Sequence, residues 1–467
     1  MRIRFPLIAT TSLLLLAAGV WTGETPALAA GGDLDPSFGV GGLVTTTEFS
    51  EGLGSAGAIA MQPDGKIVVA GYLWSDPEEE FAVARFDVDG SLDPTFAGDG
   101  TASTIFRTGD ACYEQARAVL VQSDGKIVAV GVSSCKRPGP DMGGDALFAL
   151  ARYNVDGTPD GTFGDDGTVM TSFGDPADCY THAGAAALQP DGKIVVAGEA
   201  SCPQDGIDDR FAIARYDTDG ALDPSFSDDG MVMTNFTRQR DKLTDVEVQP
   251  DGKIVAGGTA AYWMVETDVL ESRAALARYN PDGTLDSTFG RDGKVTTSFH
   301  SRRCPGSNES YDLEIQPDGR IVQGGNAACA ASAGDPPHPR WALSRYRPNG
   351  TLDRTFGRNG RVVTIFSDTT WGDGMGGGIA IQANGKIVAA GSTARHASRF
   401  MLVRYRADGR LDPRFGDDGR VQTVFGTGPG CASGGWGGLA IQADRRIVAS
   451  GGGGCLRSFV IARFLPS

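Results

Sequence analysis

The apolar residues of this chain lie in short runs, such as KIVVAG and FAVARF, separated by polar residues rich in Asp and Gly. These runs have the length of β-strands and are rich in the β-branched residues that pack well on a pleated sheet. The block QPDGKIVVAG occurs in seven related copies, at intervals of 60, 67, 60, 67, 66 and 60 residues. The copies begin at Gln62, Gln122, Gln189, Gln249, Gln316, Gln382 and Gln442. A period of this size indicates a repeat architecture.

Each repeat predicts four short strands, which we name a to d. Strand a ends at the Gln, strand b is KIVVAG, strand c is FAVARF or a relative, and strand d follows the FGxxG turn. Asp64-Gly65 between strands a and b is a two-residue hairpin signal, because Gly takes the positive φ that such turns need. Four antiparallel strands repeated seven times are typical of a β-propeller, which hides its sheet edges by closing a ring.

The two ends of the chain predict how the ring closes. A strand d from Val44 to Phe49 has no strands a to c before it, and the last strand c, at Arg463, has no strand d after it. The N-terminal strand is therefore expected to complete the last blade. The predicted fold is all-β: a seven-bladed β-propeller of four antiparallel strands per blade, formed as a single domain by residues 31–467.

Residues 1–30 have the pattern of a signal peptide. Arg2 and Arg4 precede an apolar run from Leu7 to Trp21, and Ala27-Leu28-Ala29 gives a small-x-small cleavage site. We expect a secreted, extracellular protein without a membrane span. The net charge of −16 favours solubility and argues against nucleic acid as a partner. We also expect a monomer.

The QPDGKIVVAG, ARY-x-x-DG-x-LD-x-x-FG and G-x-V-x-T-x-F blocks resemble the delta-60 repeat, a bacterial propeller repeat, and are loosely similar to NHL-type repeats. The resemblance extends over nearly the whole of residues 31–467. It implies a secreted or surface propeller and implies no particular chemistry. Two local departures are Pro159 in place of Leu and Arg445 in place of the turn Gly.

Two charged positions recur in all seven repeats. The first is an Arg in strand c, at Arg85, Arg152, Arg215, Arg278, Arg345, Arg404 and Arg463. The second is the Asp of the LDxxF block, at Asp35, Asp93, Asp160, Asp223, Asp286, Asp353 and Asp412. Because an active site needs one constellation rather than seven, we expect a structural Arg–Asp ion pair or network in each blade.

Loop length is constant on one predicted face and variable on the other. The a–b and c–d connections keep their length, whereas the distance from the Gly of strand b to the Arg of strand c runs from 12 to 21 residues. We call the face with the d–a and b–c connections the variable face, and the opposite one the fixed face. Function usually resides on variable loops carried by a rigid scaffold, so we expect it on the variable face.

The eight cysteines also lie on the variable face. An even number of Cys in an exported chain favours disulfides over a metal site, since two Cys per blade are too few for a closed thiolate site. Each pair joins the d–a to the b–c connection of one blade. The predicted bridges are Cys112–Cys135, Cys179–Cys202, Cys304–Cys329 and Cys431–Cys455.

Strand a carries carboxylates in only two repeats. Four and two residues before the Gln, most repeats have Ala, Gly or Leu, but the fourth and fifth have Asp245 with Glu247 and Asp312 with Glu314. Strand a lines the channel of a propeller, so these groups could act as an acid/base pair or hold a cation. The alternative is that channel water or neighbouring backbone N–H groups solvate them.

Several other residues on the variable face are weaker candidates. An aromatic platform for a sugar or peptide could include Trp74, Trp263, Trp371, Trp436, Tyr113 and Tyr180. Packing beneath the loops is an equally good interpretation. All four His fall in segments read as variable loops, without ligand spacing. Asp87-Val88-Asp89-Gly90 resembles the start of a calcium loop, but no bidentate Glu follows, so we expect Asx-turns and no cofactor, with calcium as the alternative.

These observations favour a non-catalytic binding or interaction propeller that uses its variable face on an extracellular glycan or protein. The alternative is a hydrolase or lyase that acts on extracellular polysaccharide, with Asp245, Glu247, Asp312 and Glu314 as the reactive or cation-binding groups. Neither a serine nucleophile elbow nor a phosphate-binding or dinucleotide motif is present.

Overall fold

The structure, a computed structural model, describes residues 30–46, 55–75, 78–107, 112–136, 144–174, 179–202, 207–237, 239–264, 269–299, 307–329, 338–365, 373–374, 378–393, 400–423, 433–453 and 459–466. The described residues form seven antiparallel sheets, which confirms the predicted seven-bladed propeller with four strands per blade. No helix among them is long and apolar enough to cross a bilayer.

The strands follow the repeat closely. They are β1 (Leu43–Thr45), β2 (Ser55–Met61), β3 (Ile67–Ser75), β4 (Glu78–Phe86), β5 (Thr101–Thr104), β6 (Cys112–Val121), β7 (Ile127–Lys136), β8 (Gly144–Tyr153), β9 (Thr168–Thr171), β10 (Tyr180–Leu188), β11 (Ile194–Cys202), β12 (Ile207–Tyr216), β13 (Met231–Thr234), β14 (Asp241–Val248), β15 (Ile254–Met264), β16 (Val269–Tyr279), β17 (Lys294–Thr297), β18 (Asn308–Ile315), β19 (Ile321–Cys329), β20 (His338–Tyr346), β21 (Arg361–Thr364), β22 (Asp373–Gly374), β23 (Ile379–Ile381), β24 (Ile387–Thr393), β25 (Phe400–Tyr405), β26 (Arg420–Thr423), β27 (Ser433–Ile441), β28 (Ile447–Gly453) and β29 (Phe459–Phe464). In the sixth blade, strand a is divided into β22 and β23, which both pair with β24.

The N-terminal strand closes the ring, as predicted. β1 pairs antiparallel with β29, with Leu43 opposite Ala462 and Thr45 opposite Val460, so the seventh blade has the order β27-β28-β29-β1. The described strand ends at Thr45, and residues 47–49 of the predicted strand lie outside the described part of the chain.

The hydrophobic core lies between blades. One cluster joins Val128 and Phe148 of the second blade to Ile194 and Ala212 of the third, and all four are fully buried. Similar clusters join the other neighbouring blades, including the seventh to the first. Each blade buries both faces against its neighbours, which explains why strands b and c read as nearly continuous apolar runs.

A polar contact repeats beside this core, which we call the arginine clasp: the strand-c Arg, the LDxxF Asp, and a backbone carbonyl of the next blade. In the first blade, Arg85 Nε donates to Asp93 Oδ2 at 2.6 Å, and Arg85 NH1 donates to the carbonyl of Val155 in the second blade. The guanidinium also lies over the ring of Phe96, 4.8 Å from its centroid. The clasp therefore joins two turns of one blade to a turn of the next.

The clasp is present in all seven blades, including the one with Pro159. The ion pairs are Arg85–Asp93, Arg152–Asp160, Arg215–Asp223, Arg278–Asp286, Arg345–Asp353, Arg404–Asp412 and Arg463–Asp35, each at 2.9 Å or less. The last Arg, in β29, donates to the carbonyl of Val88 in the first blade, so the contacts continue around the closed ring.

The clasp carboxylates are stabilised in their charged form. Burial alone would raise the pKa of Asp93, but hydrogen bonds from Thr95, Lys66 and Arg85 outweigh it and hold that pKa well below its usual range. A lysine or arginine from the a–b turn contacts each of these aspartates; Lys66 does so at 2.9 Å in the first blade. The folded state is therefore favoured by these groups above about pH 4, the usual range for Asp, and loses that stability as the pH falls.

Removing one arginine from the clasp should destabilise the whole ring. Arg404 is fully buried, so Arg404→Met leaves Asp412 without its partner and removes the hydrogen bond to the carbonyl of Pro466. Breaking a buried ion pair in this way costs about 3–5 kcal/mol. Urea unfolding should show this loss as a lower free energy of unfolding. The control is Arg410→Met, at a side chain that is 76% exposed, which should change the free energy of unfolding by less than about 0.5 kcal/mol. Equal stabilities for the two variants would contradict a structural role for the clasp.

The a–b turn of the seventh blade contains a strained residue. Arg445 has φ = +70°, at the position where the other six repeats have glycines with φ between +78° and +90°. Its N–H still donates to the carbonyl of Gln442, so the turn is the same. A side chain at positive φ costs about 1 kcal/mol.

Replacing this residue with glycine should stabilise the protein. We expect Arg445→Gly to raise the free energy of unfolding by about 1 kcal/mol, offset in part by the greater freedom of Gly in the unfolded chain. The matched control is Gly385→Ala. A Cβ at Gly385 has ordinary van der Waals space, but the backbone φ of +78° is unfavourable for alanine. We therefore expect Gly385→Ala to lower the free energy of unfolding by a similar amount. If Arg445→Gly lowers stability in urea unfolding, the strain argument fails.

Candidate functional site

The inner strand of each of the first five blades has a β-bulge at the same place. The pairing of strands a and b skips one residue, five positions before the Gln of the repeat. The skipped residues are Gly57, Arg117, Gly184, Thr244 and Tyr311. A bulge re-aims the side chain it carries, and all five residues line the same cavity. Arg117 and Tyr311 are the large side chains that the bulges present there.

The bulge also explains the Gly that ends the KIVVAG block. A Cβ on Gly131 of β7 would lie 1.9 Å from the carbonyl oxygen of Gln115 in β6. The equivalent distances are 2.0 Å at Gly71 and 2.0 Å at Gly198, again to the carbonyl oxygen of strand a in the same blade. The bulge brings strand a so close to strand b that only glycine fits. The repeat therefore encodes the bulge through this glycine.

The bulged strands surround a cavity of about 490 Å³, which we call the channel cavity. Residues from strand a of all seven blades line it, and they come from the half of the strand nearest the d–a connections. Tyr72 and Glu199, from the ends of strand b in the first and third blades, complete the lining. The cavity therefore lies at the end of the channel that faces the variable loops.

Charged groups in the channel cavity come from the second to the fifth blades. Arg117 and Lys242 are exposed to the cavity, while His182 and Glu199 beside them are partly buried. Burial, followed by the charges of Arg117 and Lys242, lowers the pKa of His182 to about 3. Burial raises the pKa of Glu199, against the attraction of Lys242. His182 is therefore neutral near pH 7 and can donate or accept a hydrogen bond.

Aromatic side chains flank these charges. Tyr72 of the first blade and Tyr311 of the fifth blade both line the cavity. The ring of Tyr180 stacks on the imidazole of His182, with 6.4 Å between centroids and 16° between planes. Tyr311 donates its hydroxyl hydrogen to Glu309 and accepts a hydrogen bond from Asn326 at 3.2 Å. The cavity thus combines aromatic faces with hydrogen-bonding groups of both kinds.

Asp245 and Asp312 lie at one end of the cavity and link neighbouring blades. Asp245 Oδ2 accepts a hydrogen bond from the backbone N–H of Leu313 at 2.8 Å, and Asp312 Oδ2 accepts one from Ile379 at 2.5 Å. The two carboxyl groups also interact with each other, and burial raises the pKa of Asp312. Burial and the mutual repulsion of the pair raise the pKa of Asp245 well above its usual range.

Glu247 and Glu314 follow two residues later on the same strands and face the channel. Both are partly exposed, since the channel rather than the core lies around them. Burial, and then the charge of Asp312, raise the pKa of Glu247 to about 7. Burial, Asp312 and Glu247 together raise the pKa of Glu314 well above its usual range. The four predicted carboxylates therefore form one cluster around Asp312.

The predicted aromatic platform is described only in part. Trp74 is 37% exposed and Tyr180 is 43% exposed, whereas Tyr113 is partly buried. The backbones of Trp263 and Trp436 lie in β15 and β27, but their side chains, like all of Trp371, lie outside the described residues. Strands a, b and c extend further toward the variable face than the repeat pattern indicated. The loop assignment was therefore wrong for Trp74, Trp263, Trp436, Tyr113, Tyr180, His182 and His338.

Two of the four predicted disulfides are confirmed. Cys112 pairs with Cys135, and Cys179 with Cys202, with Cα–Cα distances of 4.1 and 4.3 Å. Each bridge joins the start of strand a to the end of strand b. Cys304, Cys431 and Cys455 lie outside the described residues, as does the side chain of Cys329. The other two bridges therefore remain predictions.

The aspartates of the DxDG turns are engaged in local contacts. Asp87 Oδ1 accepts a hydrogen bond from Lys66 Nζ at 2.6 Å, and Asp89 Oδ1 accepts one from the N–H of Ser91 at 2.9 Å, as in an Asx-turn. Within the described ranges, no group of three or more His, Cys, Asp or Glu side chains has an arrangement suited to a metal ion.

The sequence reasoning missed the residues that give the cavity its character: Tyr72, Arg117, Glu199, Lys242 and Tyr311. A signal for two of them was present. Five residues before the Gln, four repeats have Gly, at Gly57, Gly184, Gly377 and Gly437, and the others have Arg117, Thr244 and Tyr311. Large residues at a position that is otherwise glycine indicate a place where side chains enter an open space.

Comparisons with known proteins agree on the fold. Six segments, residues 62–96, 122–163, 189–226, 249–289, 316–356 and 382–415, match a family described as a β-propeller domain of unknown function (DUF5122). The repeat that begins at Gln442, which contains Arg445, lies outside the match. No curated protein matches the chain.

Solved structures with similar folds have little sequence in common with this chain. An ulvan lyase from a new family of polysaccharide lyases is 10% identical with a TM-score of 0.48, covering 94% of this chain and 96% of its own. The β-propeller domain of the trilobed protease from Pyrococcus furiosus is 10% identical with a TM-score of 0.43, covering 89% and 98%. Extracellular domains 1–2 of Drosophila Semaphorin 1a are 9% identical with a TM-score of 0.42, covering 90% and 87%. Similarities this weak carry no information about function.

The channel carboxylates should make stability depend on pH in a defined direction. The pKa of Glu247 is raised from 4.5 in the unfolded chain to about 7, so its contribution to stability is complete below about pH 4.5 and is lost as the pH rises through 7. We expect a Tm that is higher at pH 5 than at pH 8. The free energy of unfolding should likewise be higher at pH 5 than at pH 8. Glu247→Gln/Glu314→Gln should reduce this difference in the free energy of unfolding by about 1–2 kcal/mol, allowing for water in the channel.

A control for this experiment removes two exposed carboxylates elsewhere. Asp228 and Asp292 are exposed and have φ of +69° and +52°, which Asn tolerates, so Asp228→Asn/Asp292→Asn should preserve the pH dependence of the Tm. If both double variants have the same pH profile as the unmodified protein, the channel carboxylates do not have raised pKa values.

Proposed function

We propose that this protein is an exported, non-catalytic binding propeller that holds an extracellular saccharide in the channel cavity. The observation that supports the proposal is the cavity itself, in which Tyr72, Tyr311 and His182 come together with hydrogen-bonding groups beneath the variable loops. Its volume of about 490 Å³ falls in the usual range for small-ligand sites, about 300–1,000 Å³.

The chemistry of the lining suits a saccharide. Aromatic rings offer apolar faces to the C–H face of a sugar, while their hydroxyl groups remain available for hydrogen bonds. Neutral His182, Thr244 and Gln115 add donors and acceptors that match sugar hydroxyl groups. The scaffold is repeated seven times, whereas each of these side chains occurs once. We therefore expect the side chains of the cavity to determine which ligand binds.

The expected location follows from features that support export. Residues 1–30 have the signal-peptide pattern, the repeat blocks resemble the delta-60 repeat, and disulfides persist in oxidising compartments. We therefore propose that residues 31–467 act outside the cell as a monomer. Exposed aromatic residues such as Trp74 and Tyr180 would extend the ligand site from the cavity onto the variable face.

A second candidate function is hydrolysis or lysis of a polysaccharide. The raised pKa of Glu247, about 7, is the observation that favours it, since a catalytic acid or base works best when its pKa is near the working pH. Against it, Asp245 and Asp312 each accept a backbone hydrogen bond from the next blade, which gives both a structural role. Binding without turnover is therefore the better-supported function.

The test combines a glycan array with a polysaccharide-degradation assay. We expect binding without turnover, lost in Tyr72→Ala and Tyr311→Ala, and retained in Glu247→Gln/Glu314→Gln. The control is Val363→Ala, at an exposed position on an outer strand, which should bind normally. Circular dichroism of each variant shows whether the fold is intact.

The other outcomes are equally informative. Turnover that disappears in Glu247→Gln/Glu314→Gln would replace the binding proposal with the enzyme. If no glycan binds, the saccharide proposal is wrong, and a protein ligand on the variable face becomes the next function to examine.

A further inference from the structure

We infer that the saccharide held in the channel cavity is anionic, with a carboxylate or sulfate group bound between Arg117 and Lys242. This inference rests on the proposed function, because it names the chemical class of ligand for the same cavity. It depends on the distribution of charge around the cavity, on the absence of a described salt bridge to either basic group, and on the way the bulge directs one of them.

Two basic residues lie in this cavity although the chain as a whole is acidic. The formal net charge is −16, yet the cavity has Arg117 from the second blade and Lys242 from the fourth. Arg240, exposed at the start of the same fourth-blade segment, adds a further positive charge two residues away. A ligand in the cavity can therefore reach two basic groups, Arg117 and Lys242, beside the acidic Glu199, Asp245 and Asp312 of the same lining.

The two basic side chains differ from the structural ones. In five of the a–b turns a lysine pairs with the clasp aspartate, at 2.9 Å for Lys66 and 2.6 Å for Lys253. Within the part of the chain that the structure describes, no salt bridge involves Arg117 or Lys242. Arg117 donates one hydrogen bond, to Gln115 Oε1 at 3.2 Å, and otherwise faces the cavity.

None of the acidic groups described around the cavity forms a salt bridge with Arg117 or Lys242, although the charge of Glu199 interacts with both and that of Glu79 interacts with Arg117. Glu79 accepts a hydrogen bond from Gln115 Nε2 at 2.5 Å, which directs its carboxylate toward that amide. Burial raises the pKa of both Asp245 and Asp312, that of Asp245 well above its usual range. Burial also raises the pKa of Glu199, against the positive charges of Lys242 and Arg117. The low pKa of His182 reflects burial first and then the positive charge of Arg117 and Lys242.

The bulge gives Arg117 a specific position. Its guanidinium can form two parallel hydrogen bonds to a carboxylate or sulfate, a geometry that favours planar anionic groups over hydroxyls. Tyr72 lies beside it and Tyr311 across the cavity, where their rings can contact the sugar that bears the anion. Charge and aromatic contact therefore converge on one sugar unit.

The test is titration calorimetry with three probes: an oligogalacturonate, a sulfated galactose oligosaccharide, and the neutral galactose oligosaccharide. We expect an anionic probe to bind at least about tenfold more tightly than the neutral one, and its affinity to fall with added salt. Arg117→Gln/Lys242→Gln should weaken anionic binding at least about tenfold more than it weakens neutral binding. Arg410→Gln, which removes an exposed positive charge on the opposite face, is the matched control.

The outcomes distinguish a failure of the anionic-ligand inference from a failure of the saccharide-binding proposal. A preference for the uronate over the sulfated probe identifies the carboxylate as the recognised group, and the reverse identifies the sulfate. Equal binding of all three probes, unaffected by the double variant, overturns the anionic ligand but leaves a saccharide-binding cavity. No binding to any probe or to the glycan array overturns both. Unchanged circular dichroism of the double variant excludes misfolding as the cause of lost affinity.

Discussion

The ring depends on the arginine clasp, in which one guanidinium makes contact with its own blade and with the next. Apolar burial between blades is large but has no preferred direction, so it could be satisfied by several relative placements of two sheets. The clasp specifies one placement, because a planar group with five donors must meet a carboxylate, a carbonyl and a phenyl ring together. At Arg463 and Arg404 the same contact includes Asp35 and Pro466, which lie near opposite ends of the described chain.

The fixed face and the variable face follow from this arrangement. The turns that supply the clasp, a–b and c–d, lie on one face, and in every blade the Lys or Arg of the a–b turn contacts the Asp of the c–d turn. An insertion there would move the Asp, the Lys or the accepting carbonyl out of reach. Among the described residues, the clasp contacts all lie on the fixed face, and loop length varies on the opposite face. The disulfides Cys112–Cys135 and Cys179–Cys202 stabilise the strand ends that carry two of these loops.

Sequence reasoning predicted the ring well and its centre poorly, for a physical reason. Blade number, strand order and closure follow from features that occur seven times, such as the Gln, the turn Gly and the Arg–Asp pair. The cavity is formed by residues that occur once, such as Arg117, Lys242 and Tyr311, and a bulge determines which of them face the channel. The alternation of side chains along a regular strand does not predict a bulge. The sequence therefore did not show that Arg117 and Tyr311 face the channel. The channel carboxylates were found because Asp245 and Asp312 break an otherwise small-residue position.

Closure by β1 has a consequence for how the protein comes to be folded. Asp35 and Arg463 are separated by 428 positions, so the last clasp can form only when almost the entire chain is available. If the chain crosses a membrane beginning at its N-terminus, β1 emerges first and must wait, without a partner, for the strand that emerges last. The six internal blades can assemble from local contacts in the meantime, but an open ring exposes a sheet edge at each end. The interval before closure is therefore when this chain is most exposed to wrong pairing, and its duration depends on how soon the last strand becomes available.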